Sequence, residues 1–223
     1  MRKIETVVFD MDGTLYNFPD GATFTQTPFG QAIGRNVERF IGQEFELDEV
    51  AAQKRAAELS AQFDGEMSLG LEQTFGVDRM RFFAETWDLE PAEFVVLRPD
   101  LRATLESVDT AELRVLSAAP RIWVDRVLGF LGIADVFEGR IFTGEPDIRK
   151  PNSQAFRQAL GVKAINPSVS VSIGDQEKTD IVPARAIGMK TIRIAPEGTE
   201  SSADFVVKDV VAAVEMLREE KLL

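Results

Sequence analysis

Four short runs constrain this chain more than any other feature: residues 5–10 (ETVVFD), 113–117 (LRVLS), 169–173 (VSVSI) and 190–194 (KTIRI). The first is a β-branched and aromatic run that stops at Asp12-Gly13, and it reads as a buried strand. From the second run onward, strands alternate with segments of helical spacing. Arg98-Pro99-Asp100 opens a helix carrying Leu101 and Leu105. Ile122, Val124, Val127, Leu128 and Leu131 form the next, closed by Gly132. A brief strand is expected at residues 139–142. Asn152 caps a helix carrying Phe156 and Leu160 and stopped by Gly161. Ile181, Ala184 and Ile187 mark a helix ending at Gly188, and Asp209 caps the last one. Strands alternating with helices predict an α/β fold with a parallel sheet and right-handed crossovers.

Residues 18–94 interrupt that alternation and contain no convincing strand. Phe29, Ile33, Val37, Phe40 and Ile41 recur at helical spacing, with Gly42 as the expected stop. A second helix is expected from Asp48, its N-cap, to about Phe63, ended by Asp64-Gly65. Further helical segments fill residues 68–87. The expected organisation is a core of residues 1–17 and 95–223 with an all-helical insertion over 18–94.

Composition narrows the chemistry. The 223 residues include no cysteine and no histidine, which removes disulfides, thiolate nucleophiles, the usual zinc ligands and the Ser-His-Asp triad. Catalysis must then run on carboxylates, lysine, hydroxyls, backbone amides and a hard cation, for which oxygen ligands select magnesium or calcium. The net charge of −12 argues against general binding to nucleic acid or anionic membrane. No apolar run approaches the ~20 residues that span a bilayer. The first residues, Met1-Arg2-Lys3-Ile4-Glu5, lack the apolar stretch of a signal peptide. A cytoplasmic protein, monomeric or homodimeric, is expected.

Parallel α/β sheets bind ligands at the carboxyl ends of their strands. After the first strand stands Asp10-Met11-Asp12-Gly13-Thr14. After the second stands Ser117-Ala118-Ala119. Arg149-Lys150-Pro151-Asn152 lies just beyond the third, and Gly174-Asp175, with Asp180 further on, follows the fourth. These are the groups that phosphoryl transfer needs. Asp10 can attack phosphorus and form an aspartyl-phosphate. Asp12 can protonate the leaving oxygen and then deprotonate water. Gly13 lets the chain turn. Magnesium between Asp10, Asp175 and substrate would offset the repulsion between nucleophile and phosphate. Ser117 and the Ala118 amide can donate to phosphate oxygens, and Lys150 supplies local positive charge.

Asp10-Met11-Asp12-Gly13-Thr14-Leu15, Ser117, Lys150-Pro151 and Gly174-Asp175 with Asp180 resemble, in order and spacing, the four motifs of the haloacid dehalogenase-like hydrolase superfamily. That resemblance spans nearly the whole chain. It implies a Rossmann-like core with a helical cap inserted after the first motif, an aspartate nucleophile, and Mg2+ as cofactor. Carried over residue by residue, Asp10 is the nucleophile and Asp12 the acid/base. Ser117, Ala118 and Lys150 are the phosphate contacts. Asp10, Asp175 and the main-chain carbonyl of Asp12 are the metal ligands, and Thr14 and Asp180 are supporting groups behind them. True dehalogenases usually lack the second aspartate, present here as Asp12, so the resemblance implies phosphatase chemistry on a small phosphorylated metabolite. One departure is Ala118, where many members carry asparagine; the amide is kept and a side-chain contact is lost.

A finer likeness, carried by Leu15-Tyr16 and Ser68-Leu69-Gly70-Leu71, is to the pyrimidine 5′-nucleotidase branch. Phe24, Thr25 and Thr27, just before the first cap helix, are the candidate substrate contacts. Two other readings stay open. A phosphomutase would keep the phospho-aspartate until its intermediate rebinds, although the cap histidine common in such relatives is absent. A non-catalytic binding protein would use the scaffold alone, against which the intact Asp10, Asp12, Lys150 and Asp175 argue.

Overall fold

The computed structural model describes residues 3–18, 24–63, 65–145, 147–161 and 165–223. The chain divides into two compact units, residues 22–94 and residues 1–21 with 95–223. No helix among the described residues is long and apolar enough to cross a membrane.

The helical unit holds α1 (Pro28–Glu44), α2 (Glu49–Gln62), α3 (Met67–Phe75) and α4 (Arg79–Thr86). The Thr27 hydroxyl caps α1 by accepting from the Gly30 amide at 3.0 Å, with Pro28 in the first turn where its missing N–H costs nothing. The helix runs two residues past Gly42. A mid-helix glycine weakens a helix by only about 1 kcal/mol, and the buried stripe of Phe29, Ala32, Ile33, Val37, Phe40 and Ile41 outweighs that. Asp48 caps α2 through the Ala51 amide, as expected, whereas Asp64 lies outside the described residues. The helical segments expected over residues 68–87 are two, because Gly76 ends α3 at φ 71° and Asp78 caps α4. The aromatic side chains fill this unit's interior: Phe24 and Phe29 each pack on Trp87, and Phe40 meets Phe82 edge-on.

The other unit is a six-stranded, all-parallel sheet of β1 (Thr6–Phe9), β2 (Glu112–Leu116), β3 (Ile141–Phe142), β4 (Ser170–Gly174), β5 (Lys190–Ile194) and β6 (Phe205–Val207) in the order β3-β2-β1-β4-β5-β6. This is the Rossmann-like strand order. The helices are α5 (Leu101–Glu106), α6 (Arg121–Phe130), α7 (Ser153–Leu160), α8 (Val182–Ala186) and α9 (Val210–Glu219). β1 and β4 are fully buried; β1 reads accordingly as a near-continuous apolar run, whereas β4 buries Ser170 and Ser172 between its apolar residues. Val8 and Leu116 on one face pack with Ala155, Phe156, Ala159 and Leu160 of α7 and Ala184 of α8. Burial of each large side chain contributes roughly 1.5–3 kcal/mol.

Two features depart from expectation. β6 was not anticipated; its three residues are only half-buried. The segment before α8 is a wide π-type turn, Glu177–Ile181, so the polypeptide begins to coil four residues before Ile181. Such turns favour functional sites, and this one carries Asp180. Because β2 lies on one side of β1 and β4 on the other, the chain changes direction beside β1, and a crevice opens at the carboxyl ends of β1 and β4.

Candidate active site

Asp10 leaves β1 still on the ladder, its amide donating to the Ile173 carbonyl at 2.9 Å. The chain then turns sharply, with the Thr14 and Leu15 amides both donating to the Met11 carbonyl. Gly13 makes the turn possible at φ +88°, and a Cβ there would stand 2.5 Å from Asp175 Oδ2. The turn returns the Thr14 hydroxyl to Asp10 Oδ2 at 3.0 Å, while Lys150 Nζ donates to Asp10 Oδ1 at 2.5 Å.

Lys150 is 4% exposed and bridges two carboxylates, since Nζ also reaches Asp180 Oδ1 at 2.6 Å. Asp180 is fixed in turn by the Gln176 amide on Oδ2 (2.9 Å) and by the Ser172 hydroxyl on its carbonyl (3.3 Å). Gly174 is obligatory behind it, because an added Cβ would lie 2.4 Å from the Asp180 Cβ. Asp175 follows β4, and its carbonyl accepts from Arg193 Nε on β5 at 3.1 Å. Arg193 also binds Glu177, whose carboxylate accepts from the Ser201 hydroxyl and from the Ser202 amide and hydroxyl. Partial desolvation raises the partly exposed Glu177 carboxyl, but these donors and the Arg193 charge more than offset it and hold it low, at about 2.

Carboxylate oxygens of Asp10, Asp175 and Asp180 lie within 4.8 Å of one another. Burial, opposed by Lys150 and reinforced by Asp180 and Asp12, pushes the Asp10 carboxyl up to about 7. Burial and then the charges of Asp10 and Asp180 push Asp175 up to about 9. Burial pulls Lys150 down, and the two carboxylates more than offset it, so its ammonium is held charged. Negative charge therefore exceeds positive in this cluster. Asp175 Oδ1 is buried with no hydrogen-bond partner. Crowded hard oxygens with an orphaned buried acceptor fit a divalent oxygen-loving cation such as Mg2+. Asp10 and Asp175 would hold it, with Asp180 beside them.

Asp12 faces elsewhere. Its Oδ1 accepts from the Tyr16 hydroxyl at 2.6 Å and the Trp123 indole N–H at 2.8 Å, and its Oδ2 meets the Ser117 hydroxyl at 3.4 Å. Burial raises the Asp12 carboxyl, and the three donors oppose it. Ser117 ends β2, wholly buried, and accepts from the Ala119 amide at 3.0 Å. Ala118 between them is exposed, and its carbonyl passes so close to Gly144 that a Cβ there would overlap it.

A model of the haloacid dehalogenase-like hydrolases matches residues 4–188. The chain belongs to that family. Among curated relatives, glyceraldehyde 3-phosphate phosphatase of Methanothermobacter thermautotrophicus is 26% identical over 211 residues, covering 92% of each chain. Phosphoserine phosphatase of Thermus thermophilus is 28% identical over 148 residues, 63% of this chain and 59% of that one. Among solved structures, a phosphatase of this superfamily from Thermococcus onnurineus superposes with a TM-score of 0.68 at 18% identity, covering 96% of this chain and 98% of that one. A 2-haloacid dehalogenase from Pseudomonas syringae gives 0.65 at 20% identity, covering 97% and 99%. At these identities the two structures speak for the fold.

As in the family pattern, Asp10, Thr14, Lys150, Asp175 and Asp180 converge at the carboxyl ends of β1 and β4, with Asp12 and Ser117 beside them. Asp180 does more than back up Lys150, since it also joins the acidic cluster, whereas the Asp12 carboxylate does not. Of the three proposed substrate contacts, Thr27 is 2% exposed, and its hydroxyl is engaged with the Phe24 carbonyl and the Gly30 amide. It is a helix cap. Phe24 packs on Phe29 and Trp87, and Thr25 lies in the adjoining short turn, Phe24–Gln26. Sequence reasoning missed the donors to Asp12. Tyr16 sits four residues on, a spacing that could have suggested it; Trp123 lies 111 residues away, with no signal in the sequence.

Proposed function

We propose that the protein is a magnesium-dependent phosphatase that hydrolyses a small phosphate monoester through a phosphoryl group on Asp10. The observation that carries this reading is the setting of Asp10. A buried carboxylate at a strand end is gripped by Thr14 and Lys150 beside an acidic cluster that its own lysine does not neutralise. An Asp10 oxygen bonds to phosphorus as the bond to the leaving oxygen breaks, and Asp12 gives that oxygen its proton. Water then attacks the phosphoryl group and surrenders a proton to Asp12, and the bond to Asp10 breaks, restoring both carboxyl groups. Lys150, the Ser117 hydroxyl and the Ala118 amide receive the phosphate oxygens. Asp10, Asp175 and the Asp12 carbonyl would hold magnesium, which would supply neutralisation of the negative charge that nucleophile and phosphate bring together.

The relatives favour a three-carbon phosphate as substrate, since they are named as phosphatases of glyceraldehyde 3-phosphate and phosphoserine. The pyrimidine 5′-nucleotidase reading rests on Leu15-Tyr16 and on residues 68–71. Their side chains are occupied locally: Tyr16 on Asp12, Ser68 on Arg79, and Leu71 buried. The test is phosphate release from glyceraldehyde 3-phosphate, phosphoserine, phosphoglycolate, sugar phosphates and pyrimidine and purine 5′-monophosphates, with magnesium and with chelator. Magnesium-dependent release concentrated on one class supports the reading, and Asp10→Asn should lower it at least ~1000-fold with the fold retained. Near-normal activity in that variant would overturn the mechanism. An isomerised phosphosugar without free phosphate would favour a mutase.

A further inference from the structure

We propose that Tyr16 and Trp123 are positioning residues that reserve one oxygen of Asp12, Oδ2, for proton exchange with the substrate. The inference rests on the role given to Asp12 above. A carboxyl group rotates about a soft, two-fold torsion, so its two oxygens are equivalent unless something distinguishes them. Here two donors converge on the same atom: the Tyr16 hydroxyl at 2.6 Å and the Trp123 N–H at 2.8 Å both end on Oδ1. The indole nitrogen can only donate, and with the Tyr16 hydroxyl donating as well both lone-pair directions of Oδ1 are taken, so a proton there would have to displace one of these bonds. Protonated Asp12 therefore carries its hydrogen on Oδ2.

The anchors are rigid. Tyr16 is 2% exposed and Trp123 is fully buried, so neither can swing away without opening the core. They come from different directions. Tyr16 closes the turn after β1, where its backbone bridges that of Asp12, and Trp123 lies in the first turn of α6. Oδ2 has a looser partner, the Ser117 hydroxyl at 3.4 Å, a contact long enough to give way to a leaving-group oxygen. One oxygen is clamped and the other is free to work. Held this way, Asp12 meets the leaving oxygen in one orientation and does not spend half its time presenting the wrong atom.

The consequence is legible in the leaving group. A proton donor matters greatly when an alkoxide departs and little when a stabilised nitrophenolate does. The parameter to read is kcat/KM, which covers the steps up to leaving-group departure. The assay compares glycerol 3-phosphate with 4-nitrophenyl phosphate for the unaltered protein, Tyr16→Phe, Trp123→Phe and Asp12→Asn. Tyr16→Phe removes a single oxygen and preserves the packing, so it guards against a folding defect in the tryptophan variant. General acid catalysis contributes about 100- to 10,000-fold. Each positioning variant should lose about 10- to 100-fold on glycerol 3-phosphate, half of that total effect on a logarithmic scale, and no more than about 3-fold on 4-nitrophenyl phosphate. Equal losses on the two esters would mean that the aromatic residues serve only the fold, and no loss on either would mean that they do not orient Asp12; both results overturn the inference. Full glycerol 3-phosphate turnover by Asp12→Asn, or none by the unaltered protein on either ester, would instead remove the proposed function and this inference with it.

Discussion

Replacing Lys150 with methionine keeps most of the side-chain volume and deletes the ammonium that stands 2.5 Å from Asp10 and 2.6 Å from Asp180. All three side chains are less than one-tenth exposed, so solvent cannot take over its role. Two unit charges about 4 Å apart attract by about 4 kcal/mol at an effective dielectric of 20, and removing one partner of a buried pair typically destabilises by about 3–5 kcal/mol. For a chain of this size each kcal/mol moves the midpoint by about 2–4 °C. Lys150→Met should therefore melt roughly 6–20 °C below the parent in calorimetry at pH 8 with chelator, combining those two estimates. The sign of its pH dependence is fixed. Lys150 itself is held protonated above its usual range, so its contribution persists through the neutral region. The carboxylates left behind relieve their repulsion by taking up protons, and the deficit should shrink towards pH 5. The double variant Lys150→Met/Asp180→Asn should recover part of the loss. A melt within about 2 °C of the parent at pH 8, against the shift expected for a broken buried pair, would refute the reasoning. So would a deficit that grows on acidification.

The parent without metal should itself lose stability between pH 5 and pH 8. Asp10 and Asp175 titrate at about 7 and about 9 when folded, so the folded chain holds protons that the unfolded chain releases near pH 4. Magnesium should flatten or reverse that slope, and equal midpoints at the two pH values in chelator would contradict it. Gly13→Ala forces a left-handed backbone that costs about 1–2 kcal/mol and drives a methyl group against Asp175 Oδ2. The magnesium concentration for half-maximal activity should rise at least ~10-fold, the usual effect of disturbing a ligand's support; an unchanged magnesium titration would show that Asp175 tolerates the intrusion.

Much of this was legible because the sheet is parallel and buried. β1, β2, β4 and β5 are runs that few other structures accommodate, and the candidate groups fall directly after three of them, so Asp10, Ser117 and Asp175 could be placed after β1, β2 and β4 by position alone. β6 escaped because three half-buried residues carry too little periodicity to separate from a loop. The π-type turn escaped because its widened hydrogen bonding answers to the packing of Asp180 on Gly174 rather than to local propensity. Thr27 was misjudged for a related reason: a hydroxyl before Pro28 serves a helix start as well as a ligand, and the cap geometry decided it. Trp123 was beyond reach altogether, since its apolar ring explains its place in α6 and the direction of its N–H is settled only by the folded chain.

The hydrogen bond from Trp123 to Asp12 also gives the site an optical voice. The chain has two tryptophans, and the other, Trp87, lies in the helical unit. With Trp87 replaced by phenylalanine, every indole photon would come from a ring tethered to the Asp12 carboxyl. Indole emission responds to the electric field along the ring, and the charge at the far end of that tether changes as the carboxyl gives up and regains its proton. On the mechanism proposed above, cation arrival, phosphoryl transfer and water attack could then be followed as colour changes in stopped flow, with natural substrates and no added dye.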